Sequence, residues 1–411
     1  MADKGKAGFS VSRRRLLGGI IAAPALAGAV AVQNSGAEEA SEQSAGQGQS
    51  PRSFEGEHQP GVDANPQRIG LVVACDVQVS THAELRELFK TLTERLRRLH
   101  AGGRIEPDGV VTPARDSGEL GTDIDPEDLS ITVGVGASLF DDRFGLADKK
   151  PAHLATMRPF PDDVLQSESC HGDLVLQICA HHEDTVTHAL RDILRHTYGK
   201  LSLRWRQTGY QSPSRPTGTQ RNHFGFKDGI VNPAEEEYDS LVWAGEGEPA
   251  WARGGSYMVV RLISLFTEFW DRISVAEQEQ IFGRQKDTGG PLSGGEEEDA
   301  PNYAGDPVGD VIPIDSHIRL ANPRTASTKG QLMLRRSYNY DNGIRDNGTL
   351  DLGLMFICFQ QALERQFITV QRRLEGEPLA DYFRTYGGGY FFILPGVRAG
   401  EDYLGRGLLE C

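Results

Sequence analysis

Residues 69–79 (IGLVVACDVQV) form an almost unbroken apolar run rich in valine. A strand with one solvated face alternates apolar and polar residues, so this run predicts a strand covered on both faces. Ser80 and Thr81 then offer an N-cap. Leu85, Leu88, Phe89, Leu92, Leu96 and Leu99 follow at spacings of three and four, which is one face of a helix, and Gly102-Gly103 ends it. Further strands are predicted at 131–136 and 173–181. A second amphipathic helix follows at about 183–196, and a strand at 202–210. The order β-α-β-β-α-β is that of the ferredoxin-like unit.

The pattern recurs. A strand is predicted at 255–265, a helix at about 267–283, strands at 331–340 and 352–360, a helix at about 364–374 and a last strand at 390–394. The fold class is therefore α+β, two tandem ferredoxin-like halves with antiparallel sheets. The halves are set at residues 67–215 and 216–411. A long insert rich in Gly, Pro and acidic residues, about 284–330, interrupts the second half; loops of that length in a compact domain are usually functional or disordered.

Before the first strand the composition changes. S-R-R-R-L-L at 12–17 leads into an Ala-rich apolar stretch from Leu16 to Val32, the layout of an export signal; paired arginines mark its twin-arginine form, assigned to residues 1–37. That route carries folded proteins and implies a secreted, periplasmic or cell-envelope location. Residues 38–66 read as a flexible polar linker. Net charge is −15; the signal carries +4, so the remainder carries −19. Such a body repels nucleic acid and anionic membranes. Cys75, Cys170, Cys179, Cys358 and Cys411 form no CxxC or zinc spacing. Three of them sit in apolar strand-like runs, where buried free thiols are expected.

Three clusters carry chemistry. H-F-G-F-K-D-G-I-V-N-P at 223–233 brackets Asp228 between Gly225 and Gly229. On spacing alone it is either an ordinary Asx turn or a place where backbone approaches a ligand. D-S-H-I-R-L-A-N-P-R at 315–324 presents His317; imidazole is a common haem-iron ligand, though a lone loop histidine is more often a surface or satisfied core residue. L-M-L-R-R-S-Y at 332–338 puts Arg335 and Arg336 on alternate faces of a strand, so one points inward and needs an anion or a salt bridge.

With G-F-K-D-G-x-x-N-P, S-H-I-R-x-x-N-P-R, an arginine eighteen residues after the histidine, and G-G-G-Y-F-F-x-L-P-G at 387–396, the chain resembles the dye-decolourising haem peroxidases over about residues 66–408. The likeness is to their exported, twin-arginine-dependent bacterial branch, which includes the periplasmic peroxidase of the ferrous-iron transport system. The resemblance implies one haem b per chain, held in the second half with His317 as axial ligand. It implies Asp228 and Arg335 as the distal pair and Asp381 as the carboxylate behind the histidine. Gly229, Asn232, Arg319, Leu354 and Phe356 are weaker candidates for the cofactor's surroundings. Ser337 stands where some relatives carry a distal asparagine.

The implied reaction uses hydrogen peroxide to oxidise dyes, phenols or other bulky donors. Asp228 would move a proton between the peroxide oxygens and Arg335 would stabilise negative charge as the O–O bond breaks. Trp205, Trp243, Trp251 and Trp270 are available to relay electrons from bulky donors. The alternatives are an iron-acquisition role for the same site, as a deferrochelatase acting on ferrous iron or haem, and a non-catalytic haem-binding protein. Implied partners are the twin-arginine translocase and iron-transport components. The sequence does not decide the donor, the cleavage site or whether the chain forms a homo-oligomer.

Overall fold

The computed structural model describes residues 52–106 and 114–410. The expected export signal and residues 38–51 of the expected linker lie outside the described residues, as does Cys411.

The first half contains β1 (Ile69–Val77), α1 (His82–Ala101), β2 (Ser130–Gly136), β3 (Leu174–Ala180), α2 (Glu183–His196) and β4 (Leu201–Tyr210). Thr81 caps α1 in a capping box with Glu84. The strands lie antiparallel in the order β4-β1-β3-β2. The second half contributes β5 (Ser256–Leu265), β6 (Tyr338–Ile344), β7 (Leu350–Gln360) and β8 (Phe383–Ile393), in the matching order β8-β5-β7-β6. The tandem ferredoxin-like reading holds.

The two sheets close on each other. β8 pairs with β2 through Phe391–Gly136, Phe392–Val135 and Ile393–Gly134, and β4 meets β6 at Tyr210–Asn339. Eight strands thus form a ring, which removes the exposed edges that invite aggregation. Alternation decides what each face meets. Leu71, Val73 and Cys75 of β1 lie in the core under the helices, whereas Val72 and Ala74 join Val260, Met355 and Phe391 between the sheets. This explains why β1 is apolar at every position. Tyr338 and Tyr340 fill the space between the sheets, and two glycines make room for them. A Cβ at Gly70 would lie 2.6 Å from the Tyr338 ring, and one at Gly353 would lie 1.9 Å from that of Tyr340.

Several elements differ from expectation, chiefly in the second half. The helix predicted at 267–283 is two pieces, Thr267–Trp270 and Val275–Phe282, with Ser274 capping the second. The helix predicted at 364–374 begins as a π turn, Glu364–Ile368, and continues as Thr369–Arg373. The strand predicted at 331–340 splits into Leu334–Arg335, paired to β7, and β6. β8 starts seven residues earlier than predicted, because Gly387, Gly388 and Gly389 hide its apolar pattern. Residues 52–66 are not a free linker. Phe54 joins the core under the helices. Gln59 accepts from Val133 N and donates to the carbonyls of Val133 and Leu394, all at 2.8 Å, strapping β2 to the end of β8. The described cysteines, Cys75, Cys170, Cys179 and Cys358, are free and buried, and burial pushes the Cys75 thiol up to about 12.

Candidate active site

The outer face of the second sheet is the floor of a cavity. β5 presents Arg261, Ile263 and Leu265 to it, β7 presents Leu354 and Phe356, and β8 presents Phe383 and Thr385. The empty space, open mouth included, is about 1720 Å³. Phe367, Val370 and Leu374 form another wall; π turns such as the one holding Phe367 recur at functional sites. Ile263, Leu354, Phe356, Val370 and Phe383 are only half-buried, and their free surface faces this space.

A tight turn supplies the acid group. Arg221 and Lys227 bridge antiparallel, Asn222 accepts from the amides of Phe224 and Phe226, and Asp228 N donates to Gln220 O at 2.9 Å. Gly225 takes a φ of +84°, as the turn requires. Phe224 and Phe226 anchor it against Trp270 and Phe282. The Asp228 carboxylate is thereby left facing the cavity, with Arg335 Nη1 3.6 Å from its Oδ1. Arg335 is held at both ends. The Asn232 side-chain amide grips its backbone N and O at 3.0 and 3.1 Å, and Val231 O accepts its Nη2 at 3.0 Å.

His317 enters from the insert, at the start of the short helix His317–Ala321. Its Nδ1 lies 2.7 Å from Oε2 of Glu377, a carboxylate only 3 % exposed. Nδ1 must carry the proton to make that bond, which leaves Nε2 as the free ring nitrogen of a residue lining the cavity. Burial alone would lower the His317 pKa. The Glu377 carboxylate, by charge and hydrogen bond, outweighs burial and holds it above its ordinary value. The charges of Arg335 and Asp228 also reach it.

Of the residues proposed from the sequence, His317, Asp228, Arg335, Gly229, Leu354 and Phe356 all line this one cavity. Asp381 does not: it is exposed on the 3₁₀ turn Pro378–Tyr382, and the acidic partner of His317 is Glu377, four residues earlier. Asn232 clamps Arg335 instead of lining the wall. Arg319 holds the insert together through Asp306 and Ile312 O. Ser337 is buried outside the cavity, its carbonyl accepting from Gln211 and Gln220. Arg336 is buried too, bonded to Ala64 O and Gln67. None of the four tryptophans is exposed; Trp205, Trp243 and Trp270 are buried and Trp251 is half-buried. Sequence reasoning missed Glu377 and Arg284. Burial first, then the Arg324 and Arg335 cations, lower the Arg284 pKa. Arg284, Arg324 and Arg335 together make the cavity electropositive beside apolar walls. Such a site suits a large apolar ligand carrying negative groups.

Known proteins share this architecture. Residues 59–211 match the N-terminal domain of the Dyp-type peroxidases and residues 219–398 the C-terminal domain. Proteins named Deferrochelatase from Shigella flexneri and Escherichia coli strain K12 are each 49% identical, over 97% of this chain and 97% of theirs. Among solved structures, a DyP-type peroxidase from Cellulomonas bogoriensis superposes with a TM-score of 0.81 at 34% identity, covering 89% of this chain and 100% of that one. Ferric DtpA from Streptomyces lividans gives 0.79 at 34% identity, over 88% and 98%. Both domain matches in order, and that identity over nearly the whole length, establish that this chain is an oxidoreductase belonging to the Dyp-type peroxidase family.

Proposed function

We propose that the chain is a haem peroxidase in which His317 would hold the iron of one b-type haem and Asp228 and Arg335 would act on hydrogen peroxide in the same cavity. The observation that carries this reading is one cavity lined by an imidazole braced by a buried carboxylate and by a carboxylate–guanidinium pair. The apolar floor fits a macrocycle, and Arg284 and Arg324 fit its carboxylates. Bound haem supplies an iron centre that takes up the two oxidising equivalents of peroxide. The side chains do the rest. Glu377 fixes the proton on Nδ1, so Nε2 presents its lone pair from a more basic ring. An Asp228 carboxyl oxygen accepts a proton from one peroxide oxygen and returns it to the other, so that water leaves. Arg335 is a fixed positive charge where negative charge builds during O–O cleavage. A donor then returns the electrons.

The identity to proteins named Deferrochelatase favours a second reading of the same cavity, release of iron from haem. Its products differ: iron-free porphyrin in place of an oxidised phenol or dye. Assaying both, with haem or a phenolic donor, separates the two readings. Export through the twin-arginine translocase rests on Ser12–Leu17. Precursor trapped in the cytoplasm by Arg13→Lys with Arg14→Lys would support it, and unimpaired export would end it. The distal reading is tested by stopped-flow reaction of the holoprotein with peroxide. Arg335→Leu should slow it roughly a hundred- to a thousandfold, and Asp228→Asn by no more than that. Wild-type rates in both would favour a haem-binding role without peroxidase chemistry.

A further inference from the structure

The insert carries an acidic run, Glu296, Glu297, Glu298 and Asp299. Three of the four are exposed, but Glu297 turns inward. Its Oε1 accepts from the backbone N and the hydroxyl of Thr219 at 2.8 and 2.6 Å, and its Oε2 accepts from Lys227 Nζ. The side chains of Lys227 and Glu297 are 2 % and 13 % exposed, and Lys227 Nζ also donates to Thr217 O at 2.5 Å. Two glycines are shaped around the pair. A Cβ at Gly289 (φ +80°) would lie 2.6 Å from Lys227 Cδ, and one at Gly218 (φ +77°) would lie 2.0 Å from Glu297 Oε2. The Glu297 carbonyl meanwhile accepts from Arg284 Nη1 at 2.8 Å, and Arg284 lines the cavity.

Lys227 immediately precedes Asp228, and the insert that carries Glu297 also carries His317. We propose that Glu297 is a positioning residue for Asp228: through Lys227 and Thr219 it ties the insert to the turn that presents the carboxylate. The inference rests on the reading of Asp228 as the proton-transfer group. Its physical basis is that removing one partner of a buried ion pair leaves the other charge uncompensated, so a turn with an unpaired Lys227 ammonium must shift to reach water. Displacing a reacting group by about 1 Å costs up to roughly a hundredfold in rate.

The test uses holoprotein of Glu297→Gln, Asp228→Asn and the double variant, with amide exchange measured on the haem-free chains. Glu297→Gln is expected to slow the peroxide reaction roughly ten- to a hundredfold. It should keep one haem per chain with a histidine-ligated spectrum, and speed amide exchange at 219–229 without changing it in β1 or β3. Added to Asp228→Asn it should slow the reaction no further, since it acts through that carboxylate. An equal slowing in the Asp228→Asn background would overturn the proposal, as would unchanged exchange at 219–229. If Asp228→Asn itself reacted at the wild-type rate, the reading of Asp228 would fall, and the effect of Glu297 on the rate with it; the exchange data would still report the tie. Should the unpaired ammonium prevent folding, Lys227→Met with Glu297→Gln cuts the tie without leaving a charge unpaired: amide exchange at 219–229 should still quicken while the rate falls less than in Glu297→Gln alone, and unchanged exchange would overturn the proposal.

Discussion

β1 and β5 occupy equivalent places in the two halves, each second from the edge of its own sheet. Their inner faces meet in the same core layer, where Val72 and Ala74 lie with Met258, Val260 and Leu262. Their outer faces have opposite fates. Over β1 the long helices α1 and α2 press directly on Leu71, Val73 and Cys75. Over β5 the corresponding helices are broken into short pieces, the chain between them is extended by the insert, and the floor residues Arg261, Ile263 and Leu265 face a cavity. One architecture thus yields a packed scaffold when its helices are continuous and a ligand site when they are interrupted. The cavity is not wholly the second half's own. Arg261 on its floor is held by Asp163 from the first half, at 2.9 and 2.5 Å, and by Thr385.

The comparison breaks most completely at His317. His317→Ala should abolish the histidine-ligated haem spectrum while the far-ultraviolet circular dichroism of the chain stays intact, since this histidine belongs to no packed core layer. A scaffold contact should behave in the opposite way. Leu88→Ala, at a position with no exposure in α1, should cost about 2–5 kcal/mol in urea unfolding and leave peroxide kinetics alone. Leu354→Ala on the half-open cavity floor should cost under about 1 kcal/mol in the haem-free chain.

Acid should find the scaffold first. His100 is buried in α1, its Nδ1 donating to Leu96 O at 2.8 Å and its Nε2 accepting from Ile131 N at 3.3 Å. Only the neutral ring makes both bonds, and burial lowers its pKa to about 4. Folded His100 therefore binds fewer protons than unfolded His100 between pH 6.5 and 4. Its contribution is present above pH 6.5 and is lost as pH falls through that window, amounting to roughly 3 kcal/mol. His100→Gln should flatten that part of the stability–pH curve; an unchanged slope would remove His100 as the cause. A change of charge alone sharpens the other side. Glu377→Gln keeps the hydrogen-bond geometry but removes the charge behind His317, and should weaken haem affinity or activity about 10–100-fold, read by haem transfer to apomyoglobin.

Legibility followed the same division. The first half was readable almost to the residue because its strands are buried on both faces and α1 and α2 are long enough for 3.6-residue periodicity to register. In the second half the strands were placed with shifted bounds, and the helix expected at 267–283 was overdrawn across the break between Trp270 and Val275, whereas that expected at 364–374 is helical over 364–373. Asp381 was chosen on spacing along the chain. Whether a carboxylate backs His317 depends on which way a 3₁₀ turn faces, and that turn exposes Asp381 while Glu377 just before it is buried. The polar composition of residues 52–66 concealed Gln59, a single side chain that matches three backbone groups across a seam.

By itself the sequence determined the paired β-α-β-β-α-β order, because hydrophobic periodicity is a local property. It also determined the three motifs bearing Asp228, His317 and Arg335, because glycine turns and strand alternation are local too. Only the tertiary structure decided that the two sheets close into one ring, that Glu377 and not Asp381 backs His317, and that one glutamate of an acidic run turns inward to Lys227. Each of these depends on groups far apart in sequence meeting at hydrogen-bond distance. Sixty residues separate His317 from Glu377 and seventy separate Lys227 from Glu297, and no local pattern encodes contacts at that separation.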